Sequence, residues 1–188
     1  IRREEDFRLL QGRGRYLDDV SMMRQSHAVL LRSPIAHGEI VSVDVKTAFA
    51  SPGVLAVLTG DDLTERGLGT IGVLNPCAKM DGSPGFVRER PLLAQGRVRY
   101  VGEPVAFVVA ETLNQAKDAA EQILVDFDTL PVLTSVDVAL ADGAIALWAE
   151  NPGNEAYTFK RGDAAATDAA IAGAAHVVRH RVCVNRVA

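Results

Sequence analysis

Hydrophobic and polar positions change period twice between residues 98 and 133, and this stretch organises the rest of the chain. Residues 105–110 form an unbroken apolar run of strand length, which is typical of a strand buried on both faces. Apolar residues then recur at helical spacing, and Thr112 and Gln115 are placed to form a capping box at the start of that helix. A second strand is predicted at 123–127. The succession of strand, capped amphipathic helix and strand predicts a right-handed crossover unit.

The same period counting places the other elements. A main helix is predicted near 112–122, and a glycine- and proline-rich loop at 67–95 has no sustained period, which favours a functional or interfacial role. Towards the end of the chain, a short strand, an alanine-rich helix and a last strand are predicted at 159–162, 163–174 and 176–186. The remaining strands are predicted near 28–32, 40–45, 54–58 and 98–101. The pattern therefore predicts an α/β fold with a mixed sheet and one main crossover helix.

Composition limits the classes of protein to which this chain can belong. The chain has 188 residues, 48% hydrophobic and 23% charged, which is typical of a folded globular protein. Its formal net charge of -4 argues against nucleic acid as a partner, because phosphate binding needs a basic face. No apolar run approaches the roughly 20 residues that cross a bilayer, and no signal peptide opens the chain. Cys77 and Cys183 are far apart and form no CxxC motif, so we expect a reducing, cytoplasmic location.

Several residues invite a chemical interpretation, but each has a simpler structural one. Asp61 and Asp62 lie at a predicted helix N-terminus, where capping is favoured over cation binding. Cys77 has no nearby histidine, which favours an ordinary half-buried cysteine over a reactive thiol. His176 and His180 share one face of a predicted strand, but no third ligand has suitable spacing for zinc.

The segment QGRGR at 11–15 resembles a phosphate-binding loop only in part. It lacks the third glycine and the preceding apolar strand of a dinucleotide fingerprint. A turn that leads into the first strand is therefore the favoured interpretation. Nucleotide binding at this loop stays open as the weakest of three functional hypotheses.

Four segments in one order carry a resemblance to a known family. They are 11–20 (QGRGRYLDDV), 27–45 (HAVLLRSPIAHGEIVSVDV), 52–63 (PGVLAVLTGDDL) and 100–133 (YVGEPVAFVVAETLNQAKDAAEQILVDFDTLPVL). Together they resemble the N-terminal part of the large, molybdenum-binding subunit of the molybdenum hydroxylases, which include xanthine dehydrogenase, aldehyde oxidase and aerobic carbon monoxide dehydrogenase. The matched part is the α/β hammerhead domain of that family.

The resemblance also implies a division of the chain. We expect an N-terminal arm at 1–15, the hammerhead domain at 16–138 and a connecting segment at 139–174. Residues 175–188, which include HVVRHRVCVNRVA, resemble the first strand of a molybdenum-binding domain that is truncated shortly afterwards.

The resemblance implies an oxidoreductase that hydroxylates a carbon centre, or oxidises carbon monoxide, with water as the oxygen source. Electrons would pass from a molybdenum–pterin cofactor through iron–sulfur clusters, usually to FAD. In the family, a glutamate near the far C-terminus is the base, and a glutamine-bearing loop beyond the hammerhead contacts the molybdenum centre. Neither position exists in this chain, so we assign it no catalytic, cofactor-binding or metal-binding residue, and we expect no cofactor within it.

The acidic residues nearest the matched segments do not change that expectation. They are Asp18, Asp19, Glu103 and Glu111, and Glu103 lies in a tight Gly-Glu-Pro corner where a structural role is favoured. We hypothesise that the domain docks against the other parts of the enzyme. Two features motivate this, the irregular 67–95 loop and a basic arm that contains Arg2, Arg3, Arg8, Arg13 and Arg15.

The expected partners follow from the family. They are the rest of the molybdenum subunit, iron–sulfur and FAD subunits or domains, and a second copy in a possible homodimer. Nucleic acid and a membrane-spanning segment are not expected. The alternative hypothesis is a stand-alone α/β binding or scaffold module without a cofactor.

Overall fold

The computed structural model describes residues 3–74 and 76–182. Contacts divide the chain into two units, which are described separately. The first comprises Ile1–Leu74 and Val87–Asn154, and the second comprises Asn75–Phe86 and Glu155–Ala188. All of the paired strands below belong to the first unit.

The described elements alternate between strands and short helices. The strands are β1 His27–Arg32, β2 Gly38–Asp44, β3 Val54–Thr59, β4 Thr70–Ile71, β5 Arg90–Pro91, β6 Arg97–Val98, β7 Pro104–Ala110 and β8 Leu124–Thr129. The helices are α1 Asp6–Leu10, α2 Lys46–Phe49, α3 Gly60–Glu65, α4 Leu113–Glu121, α5 Val136–Ala139 and α6 Ala164–Ala172, with a 3-10 turn at Leu17–Asp19.

The larger core lies between helix α4 and a three-stranded sheet of order β1-β7-β3. Ala106, Val108 and Ala110 alternate along β7 and are fully buried on one face of this sheet. Ala116 and Ala119 of α4 are fully buried in the same cluster, because small side chains let the helix approach the sheet closely. The prediction that β7 is buried on both faces holds only in part, since Phe107 and Val109 are partly exposed.

A second three-stranded sheet has the order β6-β2-β8. Its smaller core contains buried Ala94, Val98 and Val105, against which Val125 and Phe127 of β8 pack. A Cβ at Gly38 would lie 2.9 Å from the backbone oxygen of Asp128 and 2.5 Å from the Ile35 side chain. Glycine is therefore required where β2 approaches β8.

The α/β class is confirmed, but the crossover within one sheet is wrong. β7 and β8 flank α4 in the chain, yet they lie in different sheets. The reason is visible in β8, where Val125 and Phe127 alternate with exposed Asp126 and Asp128. That alternation is typical of a strand with one wet face, and every described pairing between strands is antiparallel rather than mixed.

Several predicted bounds also need correction. The strand predicted at 98–101 is limited to Arg97–Val98, because the chain then turns at 100–102. No strand forms at 159–162, and 176–182 has no regular secondary structure, while 183–186 lies outside the described residues. The alanine-rich helix is confirmed as α6, and Asp163 caps it by accepting a hydrogen bond from the Ala166 N–H at 2.9 Å.

The cap of α4 is confirmed in a modified form. The Thr112 hydroxyl oxygen accepts a hydrogen bond from the Gln115 N–H at 3.3 Å. The Gln115 side chain does not close the box on the backbone, because its oxygen accepts the Thr112 hydroxyl proton at 2.8 Å instead.

Candidate functional site

The turn between Arg99 and Glu103 contains a buried acidic residue. Glu103 is 8% exposed, and its Oε2 accepts a hydrogen bond from the backbone N–H of Arg99 at 2.6 Å. Buried Ser33 fastens the same turn to the end of β1, because its N–H donates to the Glu103 carbonyl and its carbonyl accepts from Gly102, both at 2.8 Å. The structural role expected for Glu103 is therefore visible in its contacts.

The electrostatics of Glu103 follow from its burial. Loss of hydration raises the pKa of the carboxyl above its ordinary value of 4.5. The Arg99 N–H bond and the positive charge of Arg99 lower the pKa and partly oppose that rise. The hydrogen bond from the Arg99 N–H fixes this carboxylate at the turn, so its arrangement suits positioning of the backbone.

Arg99 connects this turn to the segment that follows α5. Its Nε donates to the Leu147 carbonyl at 3.3 Å, and its guanidinium carbon lies 3.6 Å from the centroid of the Trp148 ring. Burial lowers the pKa of the guanidinium, while nearby Glu103 opposes that change. Arg99 thus connects Leu147 and Trp148 to the turn that precedes β7.

Asn154 fixes the loop that carries Trp148. Its Oδ1 accepts a hydrogen bond from the Leu147 N–H at 2.9 Å, and its Nδ2 donates to the carbonyls of Ile145 at 2.8 Å and Ala139 at 3.0 Å. The residue has a φ of 54°, a left-handed conformation that asparagine tolerates better than most residues. One side chain therefore closes the segment 139–154 on itself.

A groove of about 390 Å³ opens beside Trp148. Arg88 lines this groove, and its guanidinium carbon lies 5.0 Å from the centroid of the Trp148 ring. Arg88 also forms an exposed ion pair with Glu150 at 3.3 Å. Glu89 and Arg99 also line the groove. This cavity is called the Arg99–Trp148 groove below.

The structure places the residues that the sequence singled out, and it does not join them into a site. Asp62 caps α3, since its Oδ2 accepts the Thr59 N–H at 2.7 Å and the Thr59 hydroxyl at 2.8 Å. These bonds complete a capping box in which Thr59 is the N-cap, so the capping interpretation is confirmed for Asp62. The same bonds lower the pKa of the Asp62 carboxyl. Within 3–74 and 76–182, no three His, Cys, Asp or Glu side chains are grouped to hold a metal ion. The expectation of a half-buried Cys77 is wrong, because its loop leaves the residue exposed. The other candidates are also exposed, at Asp18, Asp19, Asp61, Glu111, His176 and His180.

The basic arm is exposed and folds locally. Arg8 and Glu5 form an exposed ion pair at 3.8 Å, and Arg13 donates its N–H to the Arg8 carbonyl at 3.0 Å. A Cβ at Gly14 would lie 2.7 Å from the Leu9 side chain, so this glycine allows the chain to fold back on α1. Gly12 has a φ of 66°, in the left-handed region that favours glycine, so both glycines of QGRGR have a structural explanation. Arg2 lies outside the described residues.

Sequence reasoning missed the residues that organise this region. Arg88, Arg99 and Asn154 carry no periodic signal, and the turn-forming residues of 148–154 by themselves indicate only a boundary. A signal was nevertheless present, because Trp148 is the single tryptophan of the chain and an isolated aromatic residue in a turn often marks a packing point.

Among the described residues, no helix is long and apolar enough to cross a membrane.

Comparison with known proteins identifies the class to which this fold belongs. The family model for "Aldehyde oxidase and xanthine dehydrogenase, a/b hammerhead domain" matches residues 11–131. Reconstituted CO dehydrogenase from Oligotropha carboxidovorans aligns with a TM-score of 0.76 and 33% identity, over 94% of this chain and 22% of that chain. Quinoline 2-oxidoreductase from Pseudomonas putida 86 aligns with a TM-score of 0.65 and 42% identity, over 74% and 17%.

Relatives in sequence agree with this class. The nicotine 6-hydroxylase large subunit of Paenarthrobacter nicotinovorans is 36% identical, over 100% of this chain and 22% of the relative. The carbon monoxide dehydrogenase large chain of Hydrogenophaga pseudoflava is 35% identical, over 98% and 23%. The chain belongs to the aldehyde oxidase and xanthine dehydrogenase family of molybdenum hydroxylases, as its α/β hammerhead domain. It spans less than a quarter of the length of these relatives.

Proposed function

We propose that the chain is the structural and docking portion of an oxidoreductase of the molybdenum hydroxylase type. The observation that supports this most directly is the match of nearly the whole chain to proteins named as large subunits or large chains. A relative named as subunit gamma of the 6-hydroxypseudooxynicotine dehydrogenase complex is 36% identical over 99% of this chain, which supports assembly with other chains.

The described residues do not fit a molybdenum–pterin site. No metal-binding group of His, Cys, Asp or Glu occurs among them, and the buried Glu103 carboxylate already accepts the Arg99 N–H. We therefore propose that the catalytic residues and the molybdenum–pterin cofactor lie outside this chain. Iron–sulfur clusters and FAD would be carried by partner subunits or domains, and residues 175–188 would begin the following domain.

A tagged form of the chain, purified from its native host, tests the assembly. We expect larger chains to accompany it, together with molybdenum, iron and flavin in fixed ratios, and dye-linked oxidation of an aldehyde, an N-heterocycle or carbon monoxide. A 20.1 kDa species without these metals and flavin would contradict the proposal and favour a stand-alone module.

The basic arm supports a more specific role in docking, because Arg13 and Arg15 are exposed and form no ion pair among the described residues. Reversing both charges with Arg13→Glu and Arg15→Glu should reduce the iron and flavin recovered per chain, since rim charges guide association. The matched control is Lys46→Glu with Lys117→Glu, which reverses two exposed charges elsewhere in the first unit. Equal recovery for the two double variants would exclude the arm as a docking element.

A further inference from the structure

Arg99 is a partly buried cation without an ion pair among the described residues. Its Nε is occupied by the Leu147 carbonyl, and its contact with Glu103 runs through the backbone N–H rather than through the guanidinium. The two terminal nitrogens of the guanidinium donate no hydrogen bond within 3–74 and 76–182. These terminal nitrogens are not buried, since His37 Nε2 is the one buried side-chain nitrogen or oxygen without a partner among the described residues, so they can donate to an anion that enters the groove.

The surroundings of Arg99 indicate which kind of anion fits the groove. A second guanidinium, that of Arg88, lies near the same Trp148 ring, so the groove presents two cations beside one aromatic surface. Val87 and Pro91 supply apolar walls. A planar guanidinium binds a carboxylate through two parallel hydrogen bonds, and an indole surface favours an apolar body attached to it.

The Glu103 carboxylate is the strongest negative neighbour of Arg99 and is held by the Arg99 backbone N–H. Two further carboxylates in this region reduce the positive charge without removing it. Glu150 is paired with Arg88 at the exposed rim, where an ion pair contributes little. Glu89 lines the groove and accepts a hydrogen bond from the Thr70 hydroxyl. Neither carboxylate forms an ion pair with Arg99, so its charge remains available to a ligand.

We infer that the Arg99–Trp148 groove binds a carboxylate carried on an apolar body, with Arg99 as the main anchor and Arg88 as a second cation. Two sources have this chemistry: a small organic acid, and a glutamate or aspartate side chain on another polypeptide. The inference stands on the geometry of the first unit and does not depend on the proposed oxidoreductase function.

The single tryptophan makes the site directly observable. Trp148 is the only tryptophan in 188 residues, so the intrinsic fluorescence of this chain reports on the groove. Benzoate, acetate and a blocked Glu-Glu dipeptide are titrated at constant ionic strength, with chloride as the control anion. We expect a saturable fluorescence change with benzoate and a weaker response to acetate. Tighter binding of benzoate than of the dipeptide identifies a small acid as the ligand, and the reverse order identifies a polypeptide side chain.

Three variants decide whether the arginines are responsible. Arg99→Lys keeps the charge but loses the fork, and we expect about tenfold weaker binding. Arg88→Gln removes an exposed cation and should weaken binding by a smaller factor without disturbing the fold. Arg66→Gln, at an exposed arginine that does not line the groove, should bind as the unmodified chain does.

The outcomes that overturn the inference are equally definite. They are the absence of a saturable change with every carboxylate, equal binding by Arg88→Gln and the unmodified chain, and equal losses in Arg88→Gln and Arg66→Gln. Near-UV circular dichroism shows whether each variant is folded, and Arg88→Gln provides the decision if Arg99→Lys is not.

Discussion

The Glu103 carboxylate lies 2.6 Å from the backbone nitrogen of Arg99, at a turn that would otherwise leave that N–H inside the protein without a partner. Arg99 in turn contacts Trp148 and the Leu147 carbonyl. One acidic side chain therefore sets the backbone from which the cation of the groove extends. This relationship gives a structural reason for the burial of a glutamate at this turn.

Glu103→Gln should change the pH dependence of stability. Burial raises the pKa of Glu103 in the folded chain, so the folded chain holds this proton more firmly than the unfolded chain. The stabilising contribution is complete below the ordinary value of 4.5 and is lost as pH rises through the folded-state pKa. The stability advantage of Glu103→Gln is its free energy of unfolding minus that of the unmodified chain. This difference should therefore grow as pH rises above 4.5. Urea denaturation at several pH values measures this advantage, and a constant or shrinking advantage would contradict it.

Glu103→Ala provides the matched comparison at the same position. Glutamine keeps an oxygen that accepts the Arg99 N–H, whereas alanine leaves that N–H without an acceptor. We expect alanine to lower the free energy of unfolding by about 1–3 kcal/mol relative to glutamine. Similar stabilities for these two variants would show that the 2.6 Å bond contributes little.

Asp62→Asn should show the opposite dependence on pH. Hydrogen bonds from Thr59 lower the pKa of Asp62, so its contribution is present above the ordinary value of 3.8 and is lost as pH falls through the folded-state pKa. Asparagine keeps an oxygen that accepts the Thr59 hydrogen bonds but loses the negative charge at the helix N-terminus, so we expect a cost of about 0.3–1 kcal/mol at pH 7. The cost should be smaller below pH 3.8. Asp61→Asn is the control, since Asp61 is exposed beside it. Equal costs for the two variants in urea denaturation would remove the cap as the cause.

Replacement of Asn154 should release the loop that carries Trp148. Asn154→Gly tolerates the φ of 54° but loses three hydrogen bonds, and we expect it to cost about 2–3 kcal/mol. Asn154→Ala loses the same bonds and adds backbone strain, so it should cost more. Trp148 emission should shift to longer wavelength, and acrylamide should quench it more strongly. An unchanged emission maximum in both variants would show that Asn154 does not hold the loop.

Gly60→Ala should destabilise the chain, although alanine is normally the better helix residue. A Cβ at this position would lie 2.3 Å from the Ala94 carbonyl oxygen, which is backbone and cannot move aside easily. We expect a cost of about 1–3 kcal/mol, as for other overpacked positions. Gly69→Ala meets no atom within 4 Å and should change stability by less than about 0.5 kcal/mol. Equal melting temperatures for the two variants would argue against close contact at Gly60.

Local patterns in the sequence predicted the elements of this protein well. The strands β1, β3 and β7, the helix α4 and the capped start of α3 have clear signals, because apolar periodicity and capping residues act over a few neighbouring positions. Four short segments in one order also indicated the hammerhead family, and the comparisons confirm that membership.

Only the tertiary structure decided how those elements combine. The sequence placed β7 and β8 on either side of one helix, but partner choice sent them to different sheets, where Asp126 and Asp128 can stay in water. The tertiary structure also brought Arg99, Trp148 and Asn154 together. Contacts between distant side chains leave no periodic trace, because each depends on the packing of the whole domain. The sequence alone therefore determined the elements and the family, and the fold determined the groove.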